Sequence, residues 1–90
     1  MAVKYNGILL TAPTATPFTA DATIWGFDVL ITATAPATIT GANAVTMASL
    51  AAGRPLHLGG TDPVSGEPLQ LALYSATSAG NVTITYATRN

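Results

Sequence analysis

The run ATIWGFDVLITA, Ala22 to Ala33, alternates from one residue to the next for most of its length. Side chains that recur with period two line one face of an extended strand, whereas a helix needs a period of 3.6. Trp25, Phe27, Val29 and Ile31 share one face and read as core, while Ile24, Gly26, Asp28, Leu30 and Thr32 share the other. Gly26, between two aromatics, marks either a bulge or the close approach of another backbone. The same alternation recurs in NVTITYAT, Asn81 to Thr88, with Val82, Ile84 and Tyr86 set against Thr83, Thr85 and Ala87. PLQLALYS places Leu69, Leu71 and Leu73 against Gln70, Ala72 and Tyr74, and RPLHLGG gives a short strand with Leu56 and Leu58 inward and His57 outward.

Turn chemistry separates these runs. TDPVSGEP carries Asp62-Pro63 for a type I turn and then Gly66. SATSAGN reads as the hairpin between the last two strands, and YNGI carries the Asn-Gly pair of a tight turn. TIT and AVTM flank GAN at 41–43 as a small hairpin, and MASLAAG is long enough for one helical turn ending at Gly53. TAPTATPFTAD, residues 11–21, has two prolines and no periodicity, and reads as an extended arm or long connection. The sum is an all-β fold of seven or eight short strands in 90 residues. It is a single small antiparallel β-sandwich or barrel, Greek-key or jelly-roll-like, with residues 1–90 as one domain.

Charge then narrows the function. Only Lys4, Asp21, Asp28, Arg54, Asp62, Glu67 and Arg89 are charged, 8% of the chain, against roughly 25% in an ordinary globular domain. A solitary soluble domain usually carries many more. Ala and Thr supply 17 and 15 residues, a composition that suits pleated surface covered by neighbouring protein. The net charge of -1 leaves no basic footprint for nucleic acid and no polybasic segment for an anionic membrane. The uncharged stretch Thr32–Gly53 is broken by Pro36, Gly41 and Asn43, which disfavours a membrane span of ~20 apolar residues. The opening MAVKYNG lacks the pattern of a signal peptide, so the chain is expected to be made in the cytoplasm.

Little in the chain points to chemistry. With no Cys and one His, no common zinc site can be assembled, and no metal, cofactor or small-molecule substrate is expected. His57 reads as a solvent-side residue of its strand; a catalytic role would require it to cluster with Asp28 or Glu67, and no Ser sits in a nucleophile-elbow context. Asp62 and Glu67 flank a turn and read as solubilising charges. The Asn81-Val82-Thr83 sequon is taken as chance. Asp28 stands in the most apolar strand, where an ionised carboxylate must be solvated or paired. It either bonds Thr or backbone groups, blocks edge pairing, or pairs between subunits with Arg54 or Arg89. Phe18, on the proline-rich segment, either packs back on its own core or anchors in a neighbour's pocket. Phe18, Asp28, Arg54 and Arg89 are therefore the candidate interface residues.

IWGFDVLI, LAAGRPLHLGG, LQLALYSATSAG and the terminal NVTITYATR together resemble small β-sandwich virion proteins of tailed bacteriophages. The likeness is to capsid decoration (cement) proteins and related head or tail modules. It runs from about Thr23 to Arg89 and is one of pattern and composition. The resemblance implies a protein without an active site that binds the capsid exterior as a homodimer or homotrimer and staples neighbouring major capsid protein subunits. An arm at residues 11–21 would suit such contacts. The alternative is a receptor- or glycan-binding module of a phage head fibre or tail, which needs an aromatic on the solvent face among polar neighbours.

Overall fold

The computed structural model describes residues 3–41, 45–58 and 68–89. Among the described residues, nine strands make up two antiparallel sheets: β1 Val3–Thr11, β2 Thr16–Pro17, β3 Trp25–Ala33, β4 Ala37–Thr40, β5 Thr46–Leu50, β6 Leu56–Leu58, β7 Leu69–Gln70, β8 Ser75–Ser78 and β9 Asn81–Arg89. The five-stranded sheet has the order β1-β9-β3-β6, with β7 beside the start of β3, and the four-stranded sheet has the order β2-β8-β4-β5. The chain is an all-β sandwich, and most of its connections carry it from one sheet to the other.

Register explains the core. Directly opposed residues of antiparallel strands share a face. Ile8, Ile84, Ile31 and Leu56 therefore form one four-strand row. Across the sandwich, Ala48, Ile39 and Ala76 form the matching row. Ile31, Ile39, Val82, Ile84 and Val29 are fully buried in a common cluster, which Phe18 and Leu71 complete from the connections. Burying each such large side chain contributes about 1.5–3 kcal/mol.

One end of the sandwich is stitched by Ser78, a buried polar side chain. Its Oγ lies 3.1 Å from the Pro36 carbonyl and 3.3 Å from that of Ala35, and accepts the Gly80 N–H at 3.1 Å. The corner between β3 and β4 is thereby tied to the corner between β8 and β9. Gly80 sits so close to Thr34 and Ala35 that a Cβ would lie 2.4 Å from Thr34 Oγ1.

Several local expectations are corrected. SATS is itself strand β8 and lies in the other sheet from β9, so SATSAGN is an inter-sheet corner and not a hairpin. PLQLALYS is interrupted: after two residues of β7, Leu71–Leu73 form a 3₁₀ turn that drops Leu71 into the core and leaves Leu73 exposed. Asn6-Gly7 lies inside the nine-residue β1 rather than at a turn. MASLAAG is mostly strand, and its turn closes at Gly53, whose φ of +75° suits glycine. The hairpin of β4 and β5 is present, although residues 42–44 of its turn and the turn expected over TDPVSGE lie outside the described residues. Residues 11–21 do not extend away, because Thr16–Pro17 pair with β8 and the segment crosses from one sheet to the other.

Candidate functional site

The outward face of the five-stranded sheet follows from the same registers. Tyr5, Ala87 and Phe27 form one row; Gly7, Thr85, Leu30 and His57 form the next; Leu9, Thr83 and Thr32 form a third. Tyr5, Leu9, Trp25 and Leu30 are exposed, Tyr5 and Leu9 by 64% and 63%.

A bulge in β3 shapes this face. Phe27 pairs with Ala87 but Leu30 with Thr85, so β3 holds one residue more than β9 across that interval. Asp28 takes the extra step with φ +50°. That left-handed region is costly for most L-residues and better tolerated by Asp, whose short polar side chain can bond locally. The inserted residue reverses the alternation. Residues before the bulge fall on the face opposite to the one that their spacing from Val29 and Ile31 indicates. Trp25, expected in the core, is thus 47% exposed. Gly26 takes the inward place, where a Cβ would lie 3.0 Å from the Tyr86 side chain. Phe27 is buried, as expected, although its row is the outward one.

Asp28 meets two partners on this face. Its Oδ1 lies 2.5 Å from His57 Nε2, and Tyr5 Oη donates to Oδ2 at 3.3 Å. The carboxylate accepts, so Nε2 carries the ring proton in this pair. Both side chains are about one-third exposed, at 38% for His57 and 33% for Asp28, so solvent limits the pair to well under ~1 kcal/mol of stability. Within the chain, Asp28 meets His57 and Tyr5 in place of the Thr or backbone groups expected; the pairing with Arg54 or Arg89 is one between subunits, which a single chain does not test. Sequence reasoning placed Asp28 and His57 both outward. Their clustering is the condition for a catalytic His57, and it is met for Asp28, while Glu67 lies outside the described residues. Spacing alone does not show the contact, because the two are 29 residues apart and meet through the register of β3 with β6.

Phe18 is 2% exposed. It stacks on Tyr74 with ring centroids 5.9 Å apart, and its N–H donates to the Tyr74 carbonyl at 2.8 Å. Of its two expected roles, packing on its own core is the one seen, and it is not offered to a neighbour. Arg54 is exposed in the turn before β6, its N–H donating to the Ala51 carbonyl. Arg89 closes β9 opposite Val3.

Where β3 begins, a cleft of about 480 Å³ is lined by Trp25, Phe27 and Tyr86 together with Asn6, Thr23 and Thr88. Its size falls in the range of small-ligand sites. His57 and Asp28 are not among its walls. Among the described residues, no three His, Cys, Asp or Glu side chains gather to hold a metal ion, and no helix is long and apolar enough to cross a membrane. An Asp–His pair can orient a histidine as a base, but among the described residues nothing is hydrogen bonded to the other ring nitrogen. No protein-family model, curated protein or solved structure matches the chain.

Proposed function

We propose that this protein is a structural virion component, a decoration or cement subunit that docks on the capsid exterior and stabilises the joints between major capsid protein subunits. One observation carries the reading: the outward face of the five-stranded sheet bears Tyr5, Leu9, Trp25 and Leu30 exposed. The Asp28–His57 pair supplies charge there. Four large apolar side chains exposed on one sheet face, interleaved with threonines and the Asp28–His57 pair, are more than a surface facing only water needs and suit a protein contact. The chemistry needed is burial of that face, with no catalytic step. The test is co-sedimentation with purified capsids of the phage that encodes the protein. Saturable binding that raises the temperature at which the capsids open supports the reading, and absence of binding overturns it.

A second reading is favoured by Trp25. It lines the cleft beside Asn6, Thr23 and Thr88, the aromatic among polar neighbours that a glycan-binding head-fibre or tail module requires. Trp25 is the single tryptophan in the chain, so its fluorescence reports on the cleft directly. Quenching or a blue shift on titration with host surface glycans would favour this reading over the first.

A further inference from the structure

The edges of the two sheets are not alike. β6 has three residues and follows Arg54-Pro55, β2 has two residues and contains Pro17, and β5 carries an irregularity at Met47. These are ordinary ways of discouraging pairing with another chain: short strands, proline, charge and bulges. β1 has none of them except Lys4. It is nine residues long, unbulged, free of proline, and, among the described residues, paired on one side only.

The direction of its free groups can be worked out. Ala12 N–H donates to the Gly80 carbonyl, which continues the β1–β9 ladder one step beyond Thr11 and Asn81. Along an antiparallel strand the main-chain groups alternate between the two sides. Even-numbered residues of β1 therefore bond β9, and Val3, Tyr5, Gly7, Leu9 and Thr11 turn their N–H and C=O groups to the open edge. Of these, Tyr5, Gly7, Leu9 and Thr11 lie on the outward face, with Tyr5 and Leu9 exposed.

We infer that β1 pairs with β1 of a second copy of this chain, antiparallel about a two-fold axis at Gly7. In that register Gly7 faces Gly7 of the partner subunit, Tyr5 faces the partner's Leu9, and Val3 faces the partner's Thr11. Five opposed pairs of edge-facing residues supply about ten main-chain hydrogen bonds, the number carried by a typical stable interface. The joint is about 30 Å long. A standard contact of about 800 Å² per partner would take about a sixth of the 4915 Å² surface. Each Tyr5 lies against the partner's Leu9, so that two exposed apolar side chains cover one another at each end of the joint. Each Lys4 faces the partner's Leu10, so no like charges meet. The two five-stranded sheets become one continuous sheet, and their apolar outward faces merge.

The inference stands apart from the capsid reading, since it concerns the protein alone. Sedimentation equilibrium at tens of micromolar should give twice the 9.1 kDa chain mass. Gly7→Pro removes an edge-facing N–H and leaves the β9 ladder intact, and Leu9→Lys places a charge at the joint. Each should weaken the dimer at least tenfold while the circular dichroism spectrum and melting stay native-like. The chain has no cysteine, so single cysteines map the register cleanly. Gly7→Cys should cross-link to itself on mild oxidation, whereas Tyr5→Cys alone should not, its copies being about 14 Å apart along the strands. A monomeric wild type, an oligomer indifferent to both edge variants, or equal cross-linking through Tyr5→Cys would each overturn the inference. Loss of capsid binding by an intact dimer would count against the proposed function only.

Discussion

The two sheets present opposite kinds of outward face. On the four-stranded sheet the outward rows are Ser49, Thr38 and Thr77, then Thr46, Thr40 and Ser75. They hold hydroxyl side chains and no charge, and among the described residues the exposed large apolar side chains here, Met47 and Val45, are confined to the edge strand β5 and the residue before it. On the five-stranded sheet the corresponding rows hold exposed Tyr5, Leu9 and Leu30 and the already buried Phe27 and Ala87 among three threonines, with Asp28 paired to His57 between them. The inner faces, by contrast, are equivalent aliphatic layers. A chain that needed only to stay dispersed would have no reason to treat its two outer faces differently. The hydroxyl rows keep one face hydrated without charge. The apolar rows leave the other suited to being covered by protein.

The largest effects should come from the layers that the sheets share. Ile31→Ala and Ile39→Ala remove fully buried side chains and should each cost about 2–5 kcal/mol in chemical denaturation. Leu30→Ala, one residue from Ile31 but on the outward face, should cost less than about 1 kcal/mol. If Leu30 proved as costly as Ile31, the assignment of faces would be broken. Ser78→Ala comes next. It leaves the Ala35 and Pro36 carbonyls and the Gly80 N–H without their partner and should cost about 1–3 kcal/mol.

Much of this contrast can be read from the chain, and its failures are local. Alternation alone located β9, β6 and most of β3, because over most of each strand the inward side chains are more buried than their outward neighbours. It placed Trp25 in the core because a bulge at Asp28 changes the phase; Gly26 signalled a bulge in IWGFDVLI, but nothing there fixes the extra residue at Asp28 or the phase on either side of it. β1 was hidden by Asn6-Gly7, a pair that usually turns a chain but here lies paired opposite Tyr86 and Thr85. Leu71 and Leu73 fitted a strand pattern that a 3₁₀ turn satisfies as well for Leu71. The contacts among Asp28, His57 and Tyr5 depend on cross-strand register, which composition and spacing do not carry.

Smaller effects sharpen the picture of the bulge. Asp28→Ala loses the His57 and Tyr5 contacts and keeps a left-handed backbone, whereas Asp28→Gly loses the contacts but relaxes the backbone. The glycine variant should be the more stable of the two by about 1 kcal/mol. Equal stabilities would mean that φ at Asp28 carries no strain. Smallest of all is Asp21, which belongs to neither face. The Thr23 hydroxyl and then the Thr23 N–H donate to its carboxylate and hold its pKa below the ordinary 3.8. A lowered folded pKa stabilises the fold above the ordinary value, and that contribution is lost as pH falls through the folded one. Thr23→Ala should raise the Asp21 pKa toward 3.8 in an NMR titration and leave melting at neutral pH nearly unchanged.

The central claim is that the outward face of the five-stranded sheet is the docking face and that of the four-stranded sheet is not. One substitution made on both tests it with the chemistry held constant. Thr85 and Thr77 are exposed threonines on interior strands of the two sheets, β9 and β8. Changing Thr85 to Lys should alter stability by no more than about 0.5 kcal/mol; changing Thr77 also removes the acceptor of the Ala15 N–H, 2.9 Å from its Oγ1, and should cost about 1 kcal/mol. In capsid co-sedimentation, Thr85→Lys should lose at least tenfold in affinity while Thr77→Lys binds as the unaltered protein does. Binding that survives Thr85→Lys, or fails with Thr77→Lys instead, would contradict the account.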